Sequence, residues 1–216
     1  MRVVVVASAD LDRSDETWLD DADLVIAADG GAGSLDRIGR RPDLLVGDLD
    51  SVEPGLADRL AAGGVIVERH PTDKDGSDTE LAVEAALAAG ATEVVLLGAF
   101  GGSRLDHELA NLLLLADPAL AGRQVRAVRA ATQVRALNGG GRLDLQASAG
   151  ATVTLLPVGG DAGGVTTEGL RWPLADATLR LGRSRGLSNE VVSAPASVRL
   201  EHGTLLVIET TRGEST

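Results

Sequence analysis

The chain has 216 residues, enough to bury a full core as one large domain or two smaller ones. Its formal charge of −12 argues against a nucleic-acid backbone as partner and suits attraction of a divalent ion or a cationic small molecule. There is no cysteine, so disulfides and thiolate metal sites are excluded; the opening valine run is too short for a signal peptide, and a soluble cytoplasmic protein is expected.

Up to about residue 130, short β-branched or leucine-rich runs alternate with alanine-rich stretches of helical spacing, the pattern of strands and crossover helices in a parallel sheet. The expected strands cover 2–7, 24–28, 44–46, 65–68, 94–97 and 125–128. Glycine and aspartate clusters follow four of them. The second is followed by Asp29-Gly30-Gly31-Ala32-Gly33 and the third by Gly47-Asp48-Leu49-Asp50-Ser51. After the fourth comes Asp73-Lys74-Asp75-Gly76-Ser77-Asp78-Thr79, and after the fifth Gly98 to His107. In a parallel sheet these loops share one edge, at the carboxyl ends of the strands, where open α/β sheets bind their ligands.

Between the fourth and fifth strands, Ser77 and Glu80 have capping-box spacing, Leu81, Ala82, Ala85, Ala86 and Ala89 form an apolar face, and Gly90 ends the helix. A second helix is expected over 105–116, with Asn111 beside buried Leu109, Leu112 and Leu113, where it either satisfies core backbone or touches a ligand. Asn138-Gly139-Gly140-Gly141 reads as a linker or open turn. Beyond it lie short strand-like runs at 151–156, 165–167, 170–172, 177–181, 190–192, 197–200 and 204–209, separated by turn signals, without a convincing helix.

No Walker loop is present, because Lys74 is followed by aspartate, and no dinucleotide fingerprint opens a helix. The three histidines lack metal-ligand spacing. Gly182-Arg183-Ser184-Arg185-Gly186 fits the nucleophile-elbow pattern, but an elbow needs a strand, a sharp turn and a helix, and this stretch lies in an all-β region.

The acidic clusters carry the chemistry. Two carboxylates one residue apart, Asp48 and Asp50, repel each other unless a cation sits between them, and Mg²⁺ accepts carboxylate oxygens while keeping water and phosphate oxygens as its other ligands. Asp75 and Asp78 on an adjoining loop supply further oxygens. Arg104 offers a planar, permanently charged fork for phosphate, and Gly101 and Gly102 let backbone amides approach phosphate oxygens. The alternative for the Asp48 to Ser51 stretch is a solvated turn that caps a helix.

Taken in order, Ala28 to Ala32, Pro42 to Ser51, Asp73 to Asp78 and Gly98 to Asn111 resemble the four successive blocks of thiamine pyrophosphokinases. The resemblance continues through Thr152 to Pro157, Gly169 to Leu174 and Leu187 to Glu190, which look like that family's thiamine-binding β-domain. It implies an α/β protein with a parallel-sheet, nucleotide-binding N-terminal domain over 1–137, followed by an all-β sandwich over 138–216. It implies ATP-dependent diphosphoryl transfer to the hydroxyl of thiamine with release of AMP, in a homodimer. By this resemblance Asp48, Asp50 and Asp78 hold Mg²⁺, and Asp75 is a further ligand or a base. Asp29, Gly30, Gly31, Ser77, Thr79, Arg104 and Asp106 line the nucleotide site, while Trp172 stacks on thiamine and Ser188 and Asn189 give it polar contacts from the partner subunit.

Two departures stand out: Ser103 is inserted before Arg104 in the usual Gly-Gly-Arg-X-Asp-His block, and Lys74 stands where the family often has glutamine. The residues taken alone also suit a diphosphokinase for another alcohol, such as a hydroxymethylpterin, or a non-catalytic nucleotide sensor.

Overall fold

The computed structural model describes residues 1–211, and in it the first unit is built on six parallel strands. They are β1 (Arg2–Val6), β2 (Leu24–Ala28), β3 (Leu44–Gly47), β4 (Ile66–Arg69), β5 (Glu93–Leu97) and β6 (Gln124–Arg129). All six lie where β-branched or leucine-rich runs place them. Their order is β4-β3-β2-β1-β5-β6, so the winding reverses where β1 lies between β2 and β5. A sheet covered on both faces needs unbroken apolar strands rather than alternating ones, and Val3 to Val6 and Val94 to Leu97 are all fully buried.

Five helices join these strands: α1 (Glu16–Asp20), α2 (Gly31–Arg37), α3 (Leu56–Ala62), α4 (Asp78–Ala88) and α5 (Leu105–Leu114). The Ser77 side chain caps α4 by accepting the Glu80 amide at 3.2 Å. Thr79, Ala82, Val83 and Ala86 are its buried residues, and the helix packs against β1, β2 and β3. Gly90, at φ +88°, takes the left-handed conformation that closes such a helix. On α5 the expectation fails: Asn111 is buried, whereas Leu109 and Leu113 are more than half exposed, as is Leu105. These leucines recur every four residues and so share a stripe, which this unit leaves uncovered.

The second unit comprises Leu115–Leu120, which ends in the short 3-10 turn Pro118–Leu120, and the chain from Ala131; its described residues from Ala131 to 211 form antiparallel strands. Its strands are β7 (Thr132–Asn138), β8 (Gly141–Asp144), β9 (Thr152–Glu168), β10 (Ala177–Leu179), β11 (Asn189–Glu190), β12 (Ser197–Leu200) and β13 (His202–Thr210). The division falls after Ala130, ahead of the boundary expected at 138, because β7 pairs with β13 along its whole length. Of the two readings of the glycine run at 139–141, the open turn holds and the linker does not: it turns the chain from β7 into β8 within this unit. The runs at 151–156 and 165–167 are two parts of β9. The first part of that strand pairs with β13 and the last with β12, and residues from both parts, Leu155 and Val165, join Val198, Leu200, Leu205 and Val207 in one core. Leu170 makes only an isolated bridge to Val191.

No helix among the described residues is long and apolar enough to cross a membrane. Ser184 lies exposed between β10 and β11 with no helix after it among the described residues, so the elbow pattern is a coincidence of spacing.

Candidate active site

At the carboxyl ends of the parallel strands lies a cleft of about 730 Å³ within the first unit. The position follows from topology, because the loops leaving β1 and β5 diverge where the winding reverses. Asp29, Asp48, Asp50, Ser77, Asp78, Thr79 and Arg104 all line it.

Three of these carboxylates converge. Asp29 directly follows β2, Asp48 directly follows β3 and Asp78 is the first residue of α4, and one oxygen from each lies within 4.8 Å of the others. Gly47 makes the approach possible: at φ +147°, a Cβ there would lie 3.0 Å from Asp78 Oδ1 and 3.1 Å from Asp29 Cβ. Asp29 (φ +45°) and Leu49 (φ +66°) adopt left-handed backbone without being glycine, a strain that collects at functional sites.

The electrostatics are those of a site that wants a cation. Asp29 is 5% exposed and its Oδ1 has no hydrogen-bond partner. Burial pushes its carboxyl above the ordinary range, with the charges of Asp78 and Asp50 adding to the effect. Asp48 is held below that range by the Asp50 amide, 3.2 Å from its Oδ1, and by the Lys74 ammonium. The Lys74 Nζ lies 3.4 Å from Asp48 Oδ2 and 2.9 Å from Asp78 Oδ1. Asp78 Oδ1 makes no aligned hydrogen bond, so charge rather than direction holds that contact. An unsatisfied buried carboxylate oxygen and two neighbouring carboxylates form a donor set that fits a hard divalent ion, with the Lys74 ammonium as their present counter-charge.

The other expected site residues divide. Asp50 is exposed at the cleft and accepts the Ser51 hydroxyl at 2.9 Å; it lies outside the close trio, whose third member is Asp29. Asp75 is exposed and does not line the cleft. Neither do Gly30 and Gly31; Gly31 is required because a side chain there would collide with the Val6 carbonyl, so its role is to seat α2 against β1. Asp106 also lies off the lining and pairs with Arg104 at 2.7 and 3.0 Å, which holds its carboxyl well below the ordinary range. After the Ser103 insertion, the Arg104 fork is thus engaged by a carboxylate two residues away.

Sequence reading missed Ser8 on the lining and the direct part played by Lys74. A single lysine flanked by aspartates was the available signal for the latter. Of the two readings open to it, the structure shows Asn111 satisfying backbone: its side-chain amide donates to the Ala99 carbonyl at 3.0 Å in the loop after β5, at a position on the cleft lining.

In the second unit, Trp172 is 59% exposed, so it is not a core residue. Its backbone is locked to Asn189: the Trp172 amide donates to Oδ1 at 3.1 Å and the Asn189 side-chain amide donates to the Trp172 carbonyl at 2.7 Å. The Arg171 guanidinium lies 5.9 Å from the indole centroid. The Ser188 amide donates to Thr154 Oγ1 at 3.0 Å. The Asn189 bonds fix the backbone that carries the exposed indole.

The raised carboxyl of Asp29 has a measurable consequence. Its charged form costs stability at pH values above its folded pKa, and the cost disappears below the unfolded value. In metal-free protein, Asp29→Asn is expected to raise the melting temperature at pH 7.5 by a few degrees, since asparagine also tolerates positive φ. The difference should shrink as pH falls through the Asp29 folded pKa. Thermal melts of both proteins at pH 4.5 and 7.5 check this; a variant that melts lower at pH 7.5 contradicts it.

Comparison with known proteins reaches both units. Residues 16–127 match the family model described as thiamin pyrophosphokinase, catalytic domain, and residues 142–205 match the thiamin pyrophosphokinase vitamin B1 binding domain. The thiamine pyrophosphokinase of Bacillus subtilis is 25% identical over 90% of this chain and 90% of its own. Thiamine pyrophosphokinase 1 of Oryza sativa is 27% identical, with 87% of this chain and 79% of its own covered. Among solved structures, that of the Bacillus subtilis enzyme superposes with a TM-score of 0.87 at 24% identity, covering 99% of this chain and 100% of that one. The yeast enzyme gives 0.82 at 16% identity, with 97% and 86% covered.

Proposed function

Since the chain belongs to the thiamine pyrophosphokinase family, we infer that its cleft binds ATP and that it transfers a diphosphoryl group to thiamine, giving thiamine diphosphate. The observation that carries the reading for this chain's own residues is the convergence of Asp29, Asp48 and Asp78 at the mouth of a parallel sheet. The thiamine hydroxyl oxygen forms a bond to the β-phosphorus as the bond from that phosphorus to the oxygen bridging it to the α-phosphorus breaks. AMP leaves with the bridging oxygen, and the hydroxyl proton passes to a base.

Such a transfer asks a protein for positioning and charge neutralisation more than for covalent chemistry. Asp48, Asp78 and Asp29, with Asp50 at the rim, would hold Mg²⁺, which when bound neutralises phosphate charge. Ser77, Asp78 and Thr79, the cap and first residues of α4, line the cleft, where a helix N-terminus favours anions. Arg104 reaches phosphate by exchanging Asp106 for it, an exposed pair being weak enough to break. In the second unit, the exposed indole of Trp172 offers a face for the cationic thiazolium, with Ser188 and Asn189 as polar partners for it.

We read the protein as a homodimer in which a second copy covers the exposed leucine stripe of α5. The test of function is chromatographic: purified protein with ATP, Mg²⁺ and thiamine should yield AMP and thiamine diphosphate in equal amounts. Parallel reactions with a hydroxymethylpterin should yield none, and AMP release only with the pterin would overturn the substrate. Trp172→Ala should raise the KM for thiamine on the order of 10-fold while leaving that for ATP unchanged. An unchanged thiamine KM would remove the indole from the site.

A further inference from the structure

Lysine occurs once in this chain, at Lys74, where the other nineteen basic residues counted with it are arginine. Its side chain is 14% exposed and its ammonium touches two of the three carboxylates that converge in the cleft. The two carboxylates it contacts belong to the trio that would hold a divalent ion, so ammonium and ion compete for the same side chains. We propose that Lys74 is a resident counter-ion for this cluster, a positioning residue that makes the site take a divalent ion together with a triphosphate rather than alone. The proposal rests on the metal–nucleotide reading of the cleft given above.

The argument is one of charge and reach. With no ion bound, the ammonium offsets one of the three carboxylates and leaves Asp29 Oδ1 unpartnered, so the cluster is held together but incompletely neutralised. A bare divalent ion must push the ammonium from Asp48 and Asp78, and the displaced positive charge then faces the positive charge that replaced it. A triphosphate changes the balance because its oxygens give the ammonium new acceptors. A compact charge on a flexible four-carbon stem can move between the two sets, which a guanidinium locked bidentate to carboxylates does less readily. Binding of ion and nucleotide therefore becomes mutually dependent, and coupling of this kind is reciprocal. The missing alignment at Asp78 Oδ1 suits a partner meant to leave.

The test uses the whole protein and needs no turnover. Binding of Mn²⁺ alone is measured by the loss of the free-ion electron paramagnetic resonance signal. Binding of the non-hydrolysable α,β-methylene analogue of ATP is measured by calorimetry with and without saturating Mn²⁺. Lys74→Gln is expected to bind Mn²⁺ alone about 10-fold more tightly than the parent, and to lose most of the Mn²⁺-dependent gain in analogue affinity. Lys74→Arg, which keeps the charge, should retain the parent's weak affinity for the ion alone. Equal or weaker Mn²⁺ binding by Lys74→Gln overturns the role of Lys74 while leaving the metal reading standing. If neither parent nor variant binds Mn²⁺, with or without the analogue, the metal reading falls and this proposal with it.

Discussion

Asp48→Asn is expected to lower the turnover of thiamine to thiamine diphosphate on the order of 10³-fold, with the circular dichroism spectrum unchanged. The substitution removes charge but little shape. Asp48 is one of three side chains whose oxygens meet in the cleft, and it stays ionised because the Asp50 amide and Lys74 hold its pKa down. The asparagine oxygen can still accept the Asp50 amide, so the turn after β3 should survive. What is lost is one negative oxygen facing the ion and the developing charge on the transferred phosphates. The loss should fall mainly on kcat, since an interaction that matters as charge redistributes is worth most in the transition state. Asp78→Asn should behave alike, because it removes a member of the same trio. A rate within about threefold of the parent for both variants would mean that the carboxylates do not carry the reaction.

The largest effect on stability is expected far from that chemistry, in the second unit. Glu209 is 1% exposed, and its carboxylate accepts from the guanidinium of Arg135, from the Gln133 side chain at 3.2 Å, and from the amides of Gln146 and Ala147 at 2.7 and 2.9 Å. Arg135 also donates to the Asp144 carbonyl at 3.0 Å. One carboxylate thus ties β7, β13 and the chain after β8 together. Glu209→Ala should destabilise the protein by about 3–5 kcal/mol in urea denaturation, because it strands a buried guanidinium and leaves two amides unpaired. Arg135→Met combined with Glu209→Leu should recover part of the loss, since it removes both charges. A loss below about 1 kcal/mol for Glu209→Ala would show that water replaces the carboxylate freely.

That buried pair also explains where sequence reading failed. Thr132 to Asn138 contains Gln133 and Arg135 and borders a glycine run, so its polarity concealed a strand and its boundary looked like a linker. The arginine belongs inside only because Glu209, 74 residues away, meets it there. Glycines at 159–160 and 163–164 split β9 on paper for a similar reason: isolated from their partners they read as turns, whereas in the sheet they lie within one long strand whose pairing with β13 shifts register. On α5, spacing marked an apolar face but could not say whether this unit would cover it.

What the sequence by itself determined is the parallel sheet, the cap and end of α4, the all-β character of the second unit, and the gathering of four acidic or glycine-rich loops at one sheet edge. Those follow from local periodicity and from the rule that parallel strands present the same ends on the same side. Only the tertiary structure decided which carboxylates meet, replacing Asp50 with Asp29 in the close trio, turning Asp75 outward and setting Lys74 between Asp48 and Asp78. The reason is one of scale: loop position is known to several ångströms from chain order, but a shared cation needs oxygens within a few, and that depends on Gly47 leaving room and on left-handed turns at Asp29 and Leu49.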